Sequence, residues 1–294
     1  MEAKNVLLAI VLSTLVLVFW ATFFEPPPVE RQITEKQITE KEETSSPSIE
    51  TIDASKKDSR KEAINNVDRV KLENKNIVGS ISLEGGIIDD VTFKNYKKSL
   101  ESEERVIFLN PKSSKEGYYI ETGWATSGNE KLKLPLDNTV WKIKGNKLLQ
   151  PKNPIILEWD NNEGLIFTKK IELDEKFLFR ITQSIKNNSN KSFQFFPYAQ
   201  ITRNYKPEVT PIYIIHEGFI GVFGEELQEI DYEDIDDEKF SVNSSKGWLG
   251  ITDKYWITAI APEKEKKFKA EFEGPDGLWQ IVAQSRDEWQ KLEN

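Results

Sequence analysis

The chain has 294 residues, 38% hydrophobic and 30% charged, with no cysteine and one histidine. That excludes disulfides, thiolate metal sites, a cysteine nucleophile and a histidine-rich metal site, and leaves any Ser/His/Asp arrangement only His216 as its base. The formal charge of −9 is concentrated from Glu225 to Glu238, which holds nine acids and no base. The remainder therefore sums to zero, offers a phosphate backbone no basic stripe, and makes nucleic acid an unexpected partner.

The 20 residues from Asn5 to Phe24 carry no charge, and a helix of that length spans about 30 Å, the hydrocarbon thickness of a bilayer. This predicts a transmembrane anchor within residues 1–24, its helix covering about 5–24. A cleaved signal peptide is the competing reading, but its apolar region is shorter and ends in small residues, whereas Phe19, Trp20, Phe23 and Phe24 crowd this end. These aromatics read as an interfacial belt, and Glu25 with Pro26, Pro27 and Pro28 stops the helix. Flanking charge does not set the orientation: Lys4 stands against Glu2 before the helix, and Arg31, Lys36 and Lys41 lie among acids after it.

No aromatic residue occurs between Phe24 and Phe93, and Gln32 to Lys41 is the pentapeptide QITEK written twice. Residues 25–66 therefore read as a disordered polar linker, stiffened at its start by the prolines. A charged coiled coil is disfavoured because its apolar positions are too few.

From Val67 the period becomes two. Ile77, Gly79, Ile81 and Leu83 share a face, and Gly85 and Gly86 turn the chain into Ile87 to Phe93, a predicted hairpin. A second hairpin is predicted from Trp141–Ile143 through Gly145 and Asn146 to Lys147–Leu149. Then come strands at Ile155–Trp159, Leu165–Leu173, Phe177–Ile185 and Ser192–Arg203, joined by short polar turns. Within the second of these, Leu165, Phe167, Ile171 and Leu173 alternate with polar positions, apart from Ile166 and Lys169. Many antiparallel strands with almost no long amphipathic helix predict a mainly β, two-sheet sandwich over residues 67–273. After Gly274 and Pro275, Leu278, Val282, Ser285, Trp289 and Leu292 fall at helical spacing, predicting a short helix in a tail over residues 274–294.

Three strings carry a resemblance: WDNNEGLIFTKKIELDEKFLF from Trp159 to Phe179, IIHEGFIGV from Ile214 to Val222, and KGWLGITDKYWITAIAP from Lys246 to Pro262. With the apolar opening and Trp20 near its outer end, the chain resembles the YidC/Oxa/Alb family of membrane protein insertases from the first helix to about Phe272. The tail beyond looks like a departure from the family. The resemblance implies a cytoplasmic N-terminus, one span of the bacterial inner membrane, and a periplasmic β-super-sandwich similar to galactose mutarotases. It further implies a part in inserting, folding and assembling nascent inner-membrane proteins as insertase and chaperone, with the Sec translocon and its accessory complex SecDF as partners. The family's insertion activity sits in a later five-helix bundle, and this sequence has no second apolar stretch of that kind.

No residue is assigned a catalytic, cofactor-binding or metal-binding role, and no enzymatic activity or cofactor is expected. His216 beside Glu217 suggests acid/base work in a carbohydrate cleft, but strand neighbours point to opposite faces. Mutarotases use two histidines, so the resemblance of fold does not carry the activity. Glu225 to Glu238 lacks the calcium-loop pattern and reads as a solvated loop, its one plausible role being to dock a basic surface. Trp248, Tyr255 and Trp256 suit stacking on a sugar or an unfolded polypeptide, although alternation sends at least one into the core. A membrane-tethered carbohydrate-binding or mutarotase-like module, and a passive scaffold, are the alternatives to the insertase reading.

Overall fold

The computed structural model describes residues 58–126, 132–207, 216–235, 239–274 and 278–286, together with Leu12 and Thr14. No helix among these residues is long and apolar enough to cross a membrane. Leu12 and Thr14 are helical, and the rest of the expected span lies outside the described residues, as does the linker up to residue 57.

Regular structure begins inside the segment expected to be linker. Helix α1 (Arg60–Asn65) is closed by a capping box in which Ser59 and Glu62 bond each other's backbone N–H groups, satisfying two otherwise orphaned donors. The helix is fixed to the domain by ion pairing of Arg60 with Asp90. Aromatic absence marked the stretch as unpacked, but the S-x-x-E signature and one arginine are enough to dock it.

The strands follow in chain order: β1 (Arg69–Glu73), β2 (Ile77–Ser82), β3 (Ile88–Lys97), β4 (Arg105–Leu109), β5 (Tyr118–Thr126), β6 (Lys142–Lys144), β7 (Leu148–Leu149), β8 (Ile155–Asp160), β9 (Leu165–Leu173), β10 (Phe179–Asn187) and β11 (Phe195–Arg203). Then come β12 (Gly218–Phe223), β13 (Glu226–Asp231), β14 (Phe240–Ser244), β15 (Gly247–Thr252), β16 (Ile257–Ile260), β17 (Phe268–Glu273) and β18 (Trp279–Ser285). A ten-stranded sheet runs β14-β17-β18-β11-β5-β3-β2-β1-β7, with β4 added on β3. Two four-stranded sheets, β10-β9-β8-β6 and β13-β12-β15-β16, complete the domain.

Register explains how the layers meet. Trp124 lies opposite Pro197 on β11, and Ile201 lies opposite both Ile120 and Ile281; Phe272 in turn faces Ile281. Cross-strand partners share a face, so Trp124, Phe195, Ile201 and Phe272 project to one side of the large sheet. Phe167 of β9 meets Trp124 at 5.1 Å and Phe195 at 5.9 Å between ring centroids, and Phe219 of β12 meets Phe272 at 5.5 Å. Both small sheets therefore pack side by side on that face, forming the predicted mainly β antiparallel sandwich. Their fully buried alternating positions, Leu165, Phe167 and Ile171 on β9 and Phe219, Leu249 and Ile251 on the other sheet, are the core.

The predicted first hairpin is present as β2 and β3, with Gly85 and Gly86 at φ +72° and +63° making the turn. Gly79 is needed for a different reason: a Cβ there would lie 1.8 Å from the Asp90 carbonyl oxygen. The strands from Ile155 to Arg203 stand within a few residues of expectation.

Two expectations are corrected. Trp141–Leu149 is not a hairpin: β6 pairs with β8, while β7 pairs in parallel with β1 in the other sheet. Gly145, at φ +81°, turns the chain, but it crosses between sheets instead of returning on itself. The predicted terminal helix is a strand where it is described: β18 is hydrogen-bonded between β11 and β17. Ile281, Val282 and Ala283 are all buried. A strand covered on both faces reads as a continuous apolar run, which periodicity does not separate from a buried helix. Trp289 and Leu292 lie outside the described residues.

Candidate functional site

A cluster of rings, several of them partly exposed, gathers around β3 and β4 of the large sheet, and its members come from distant parts of the chain. Phe93 of β3 is its centre: Trp256 lies 4.5 Å from it, stacked Phe108 of β4 4.8 Å, and Tyr96 and Phe177 5.7 Å each, between centroids. Tyr96 also meets Trp256 edge-on at 4.8 Å. Phe93 is buried, but Tyr96 and Phe177 are nearly half exposed, and Leu178 and Tyr255, the sequence neighbours of Phe177 and Trp256, are 58% and 72% exposed. Alternation at Tyr255 and Trp256 thus sends Trp256 toward the core and Tyr255 into solvent.

A buried ion pair supports this patch from below. Arg203, at the end of β11, is 2% exposed and grips Asp253 through two bonds, Nη1 to Oδ1 at 2.6 Å and Nη2 to Oδ2 at 2.7 Å. Nη1 also donates to the Tyr232 hydroxyl at 2.9 Å. The guanidinium lies over Tyr118 at 4.1 Å and Tyr205 at 4.9 Å, and Tyr118 touches Phe108 of the patch. Burial alone would disfavour the charge, but the bonds to Asp253 and the surrounding tyrosines outweigh it and hold the Arg203 pKa well above its ordinary value. Asp253 opens the turn between β15 and β16, its N–H donating to the Trp256 carbonyl at 2.8 Å. The pair therefore fixes the loop that presents Tyr255 and Trp256. The string KGWLGITDKYW marks this loop in sequence, but nothing local signals that Arg203 would be its partner.

A second buried cation has no carboxylate partner among the described residues. Lys169 occupies an inward position of β9 at 1% exposure, donating to the Gly85 carbonyl at 2.9 Å and lying 4.7 Å over the Trp141 ring. Burial pushes its pKa down to about 7, opposed only by the charge of Glu121. A third polar node joins Arg69 to Asp89 and Arg60 to Asp90, with Ser80 bonding both Arg69 and Asp90. There burial outweighs the Arg69 charge and lifts the Asp89 pKa to about 6.

Of the residues singled out by sequence, Trp256 lies in the patch and Tyr255 adjoins it, and the others fall elsewhere. His216 precedes β12, its Nε2 2.8 Å from the Phe219 carbonyl and its Nδ1 3.2 Å from Asp231, so the ring lies against the β12–β13 hairpin, and Glu217 is buried. The acidic run is not a loop at its start. Glu226–Asp231 forms β13, an exposed strand that among the described residues pairs only with β12, and Tyr232 and Ile235 then fold into the core. Charged side chains on an edge strand discourage pairing with another chain. Among the described residues no three acids or histidines are grouped to hold a metal ion. Trp248 is half-buried on β15 and has no part in the patch.

A hollow of about 390 Å³ is lined by Glu73, Asn74, Lys94 and Gln150 among others. Its polar groups bind one another: Gln150 donates to Glu73 at 3.0 Å and Lys94 to the Asn74 carbonyl at 2.7 Å.

A family model described as the YidC periplasmic domain matches residues 69–290. The match continues past Phe272 to residue 290, so the tail does not depart from the family as expected. Proteins named membrane protein insertase YidC are 41% identical in Pelagibacter ubique over 93% of this chain and 49% of that protein. The corresponding values are 36% in Bradyrhizobium diazoefficiens, over 92% and 48%, and 35% in Rickettsia bellii, over 91% and 48%. The chain spans about half the length of the curated relatives it matches. Slr1438 protein from Synechocystis sp. PCC 6803 aligns at a TM-score of 0.40 and 12% identity, covering 74% of this chain and 85% of that one, too weak a likeness to carry an argument.

Proposed function

The chain belongs to the YidC family of membrane protein insertases, and on that premise we propose that it is the N-terminal portion of an insertase and chaperone acting on nascent inner-membrane proteins. The observation that carries this is the match to the periplasmic-domain family over residues 69–290. In this reading the apolar segment from Asn5 to Phe24 crosses the bacterial inner membrane once with the N-terminus in the cytoplasm, a polar linker follows, and the β domain sits in the periplasm. The domain performs no covalent chemistry. It works by surface contact with the Sec translocon and SecDF, and the insertion step belongs to the membrane helices that carry it in the family. The single histidine lies against the β12–β13 hairpin, next to the Phe219 carbonyl and Asp231, and a lone histidine disfavours the mutarotase-like alternative.

The absence of cysteine makes the topology directly testable. Leu227→Cys, on the exposed face of β13, is expected to react with a membrane-impermeant maleimide in cells whose outer membrane alone is permeabilised. Protection until the inner membrane is lysed would contradict the periplasmic placement. The 294-residue chain is expected not to restore membrane protein insertion in cells depleted of the full insertase; rescue would contradict the assignment of that step to other helices.

A further inference from the structure

The aromatic patch has an exposed rim that neither the fold nor the partner reading uses. We propose that it is an interfacial lipid contact, a second point at which this domain touches the bilayer beside its N-terminal anchor.

Composition is the first reason. Tyr96, Tyr255, Phe177 and Leu178 are exposed, while Lys97, Lys98 and Lys254 stand in the same loops. Apolar bodies with polar tips, bordered by lysines whose stems can lie on apolar surface, are what the headgroup region of a membrane accepts. The second reason is charge. Lys97 pairs with Glu103 and Lys98 with Glu104, so two of the three rim lysines are neutralised and the remaining field is too weak to select a strongly charged protein surface. Apolar contact must then dominate, and a neutral lipid surface is sufficient.

The third reason is reach, and it rests on the membrane-anchor reading above. The linker enters the domain at Asp58 to Arg60, and Arg60 donates to Thr92 at 3.3 Å, the residue next to Phe93 on β3. Thr92 and Phe93 point to opposite faces of β3, so the chain enters at the level of the patch, on the other face of that strand. In that reading only 33 residues separate Phe24 from Asp58, a tether that holds the domain within reach of the membrane, so the bilayer is the apolar surface that the patch meets at the highest effective concentration. Asp253 and Arg203, by fixing the Trp256 turn, keep the rings displayed rather than folded inward.

The test uses the full chain reconstituted in phosphatidylcholine vesicles. An environment-sensitive fluorophore is attached through Tyr255→Cys, or through Leu227→Cys on β13 as the reference. The expected result is co-flotation of both proteins with the vesicles, and a blue shift with quenching by nitroxide-labelled lipid at 255 but not at 227. Leu178→Asp, at an exposed position, is expected to abolish the shift at 255 while leaving flotation and the circular dichroism spectrum unchanged. Flotation with a water-like probe at 255 would overturn the lipid contact and leave the anchor standing. A shift at 255 that requires an added partner protein would overturn it in favour of a polypeptide occupant. Absence of flotation would overturn the contact and the anchor together.

Discussion

Arg203 and Lys169 are both cations buried to within 2% exposure in the same sandwich, yet their surroundings drive them in opposite directions. Arg203 meets a carboxylate through two bonds and lies against aromatic faces, and it stays charged. Lys169 finds one carbonyl and one indole, and its pKa falls to about 7. The difference shows that burial does not decide what a charge does inside this fold; the geometry of its counter-charge does. A planar fork suits a bidentate carboxylate, whereas an ammonium on a flexible stem neutralises readily when it is left alone.

The largest expected effect comes from breaking the paired site. Arg203→Met leaves Asp253 without its counter-charge and should cost about 3–5 kcal/mol, toward the lower end because the Asp253 side chain is 28% exposed. Unfolding by denaturant measures this. Pairing the change with Asp253→Leu should recover part of the loss, because no orphaned charge then remains.

The unpaired site should show itself through pH. The folded Lys169 pKa of about 7 lies below the ordinary lysine value of about 10.4. Between those values the unfolded chain binds the extra proton, so stability rises with pH, by at most about 1.4 kcal/mol per unit. Below about pH 7 both states are protonated and this dependence ends. Lys169→Met is expected to flatten the stability profile from pH 7 to 10, and an unchanged slope would show that another group sets it.

Asp89 sharpens the comparison, because it is paired and still shifted against ionisation. Its folded pKa of about 6 exceeds the unfolded value of about 3.9. The stability it contributes is complete below about pH 4 and is lost as pH rises through 6, a smaller change of opposite sign. Asp89→Asn should remove that fall from a denaturation series between pH 4 and 6. The smallest effect belongs to the exposed pair of Lys97 and Glu103: Lys97→Ala should change stability by less than about 0.5 kcal/mol.

Sequence disclosed the elements whose two faces differ. β9 alternates buried and half-buried residues without a break, and its limits were predicted to the residue; the same alternation made Lys169 stand out as an intruder on the apolar face. It failed where that contrast vanishes. β18 is buried on both sides and read as a helix, and β7 is two residues long and pairs with a strand more than seventy residues earlier. The patch was half visible. Tyr255 and Trp256 were singled out, but their contacts with Phe93, Phe108 and Phe177, and the Arg203 beneath them, join segments that no local pattern relates.

The central claim is that this domain serves membrane protein insertion by surface contact and not by chemistry at any buried group. The most direct measurement is co-purification of the full chain with SecDF from detergent-solubilised inner membranes, comparing the natural sequence with Lys169→Met. The account predicts that both forms retain SecDF equally. Failure of the natural chain to retain SecDF, or loss of binding on changing Lys169 alone in a protein that remains folded, would contradict it.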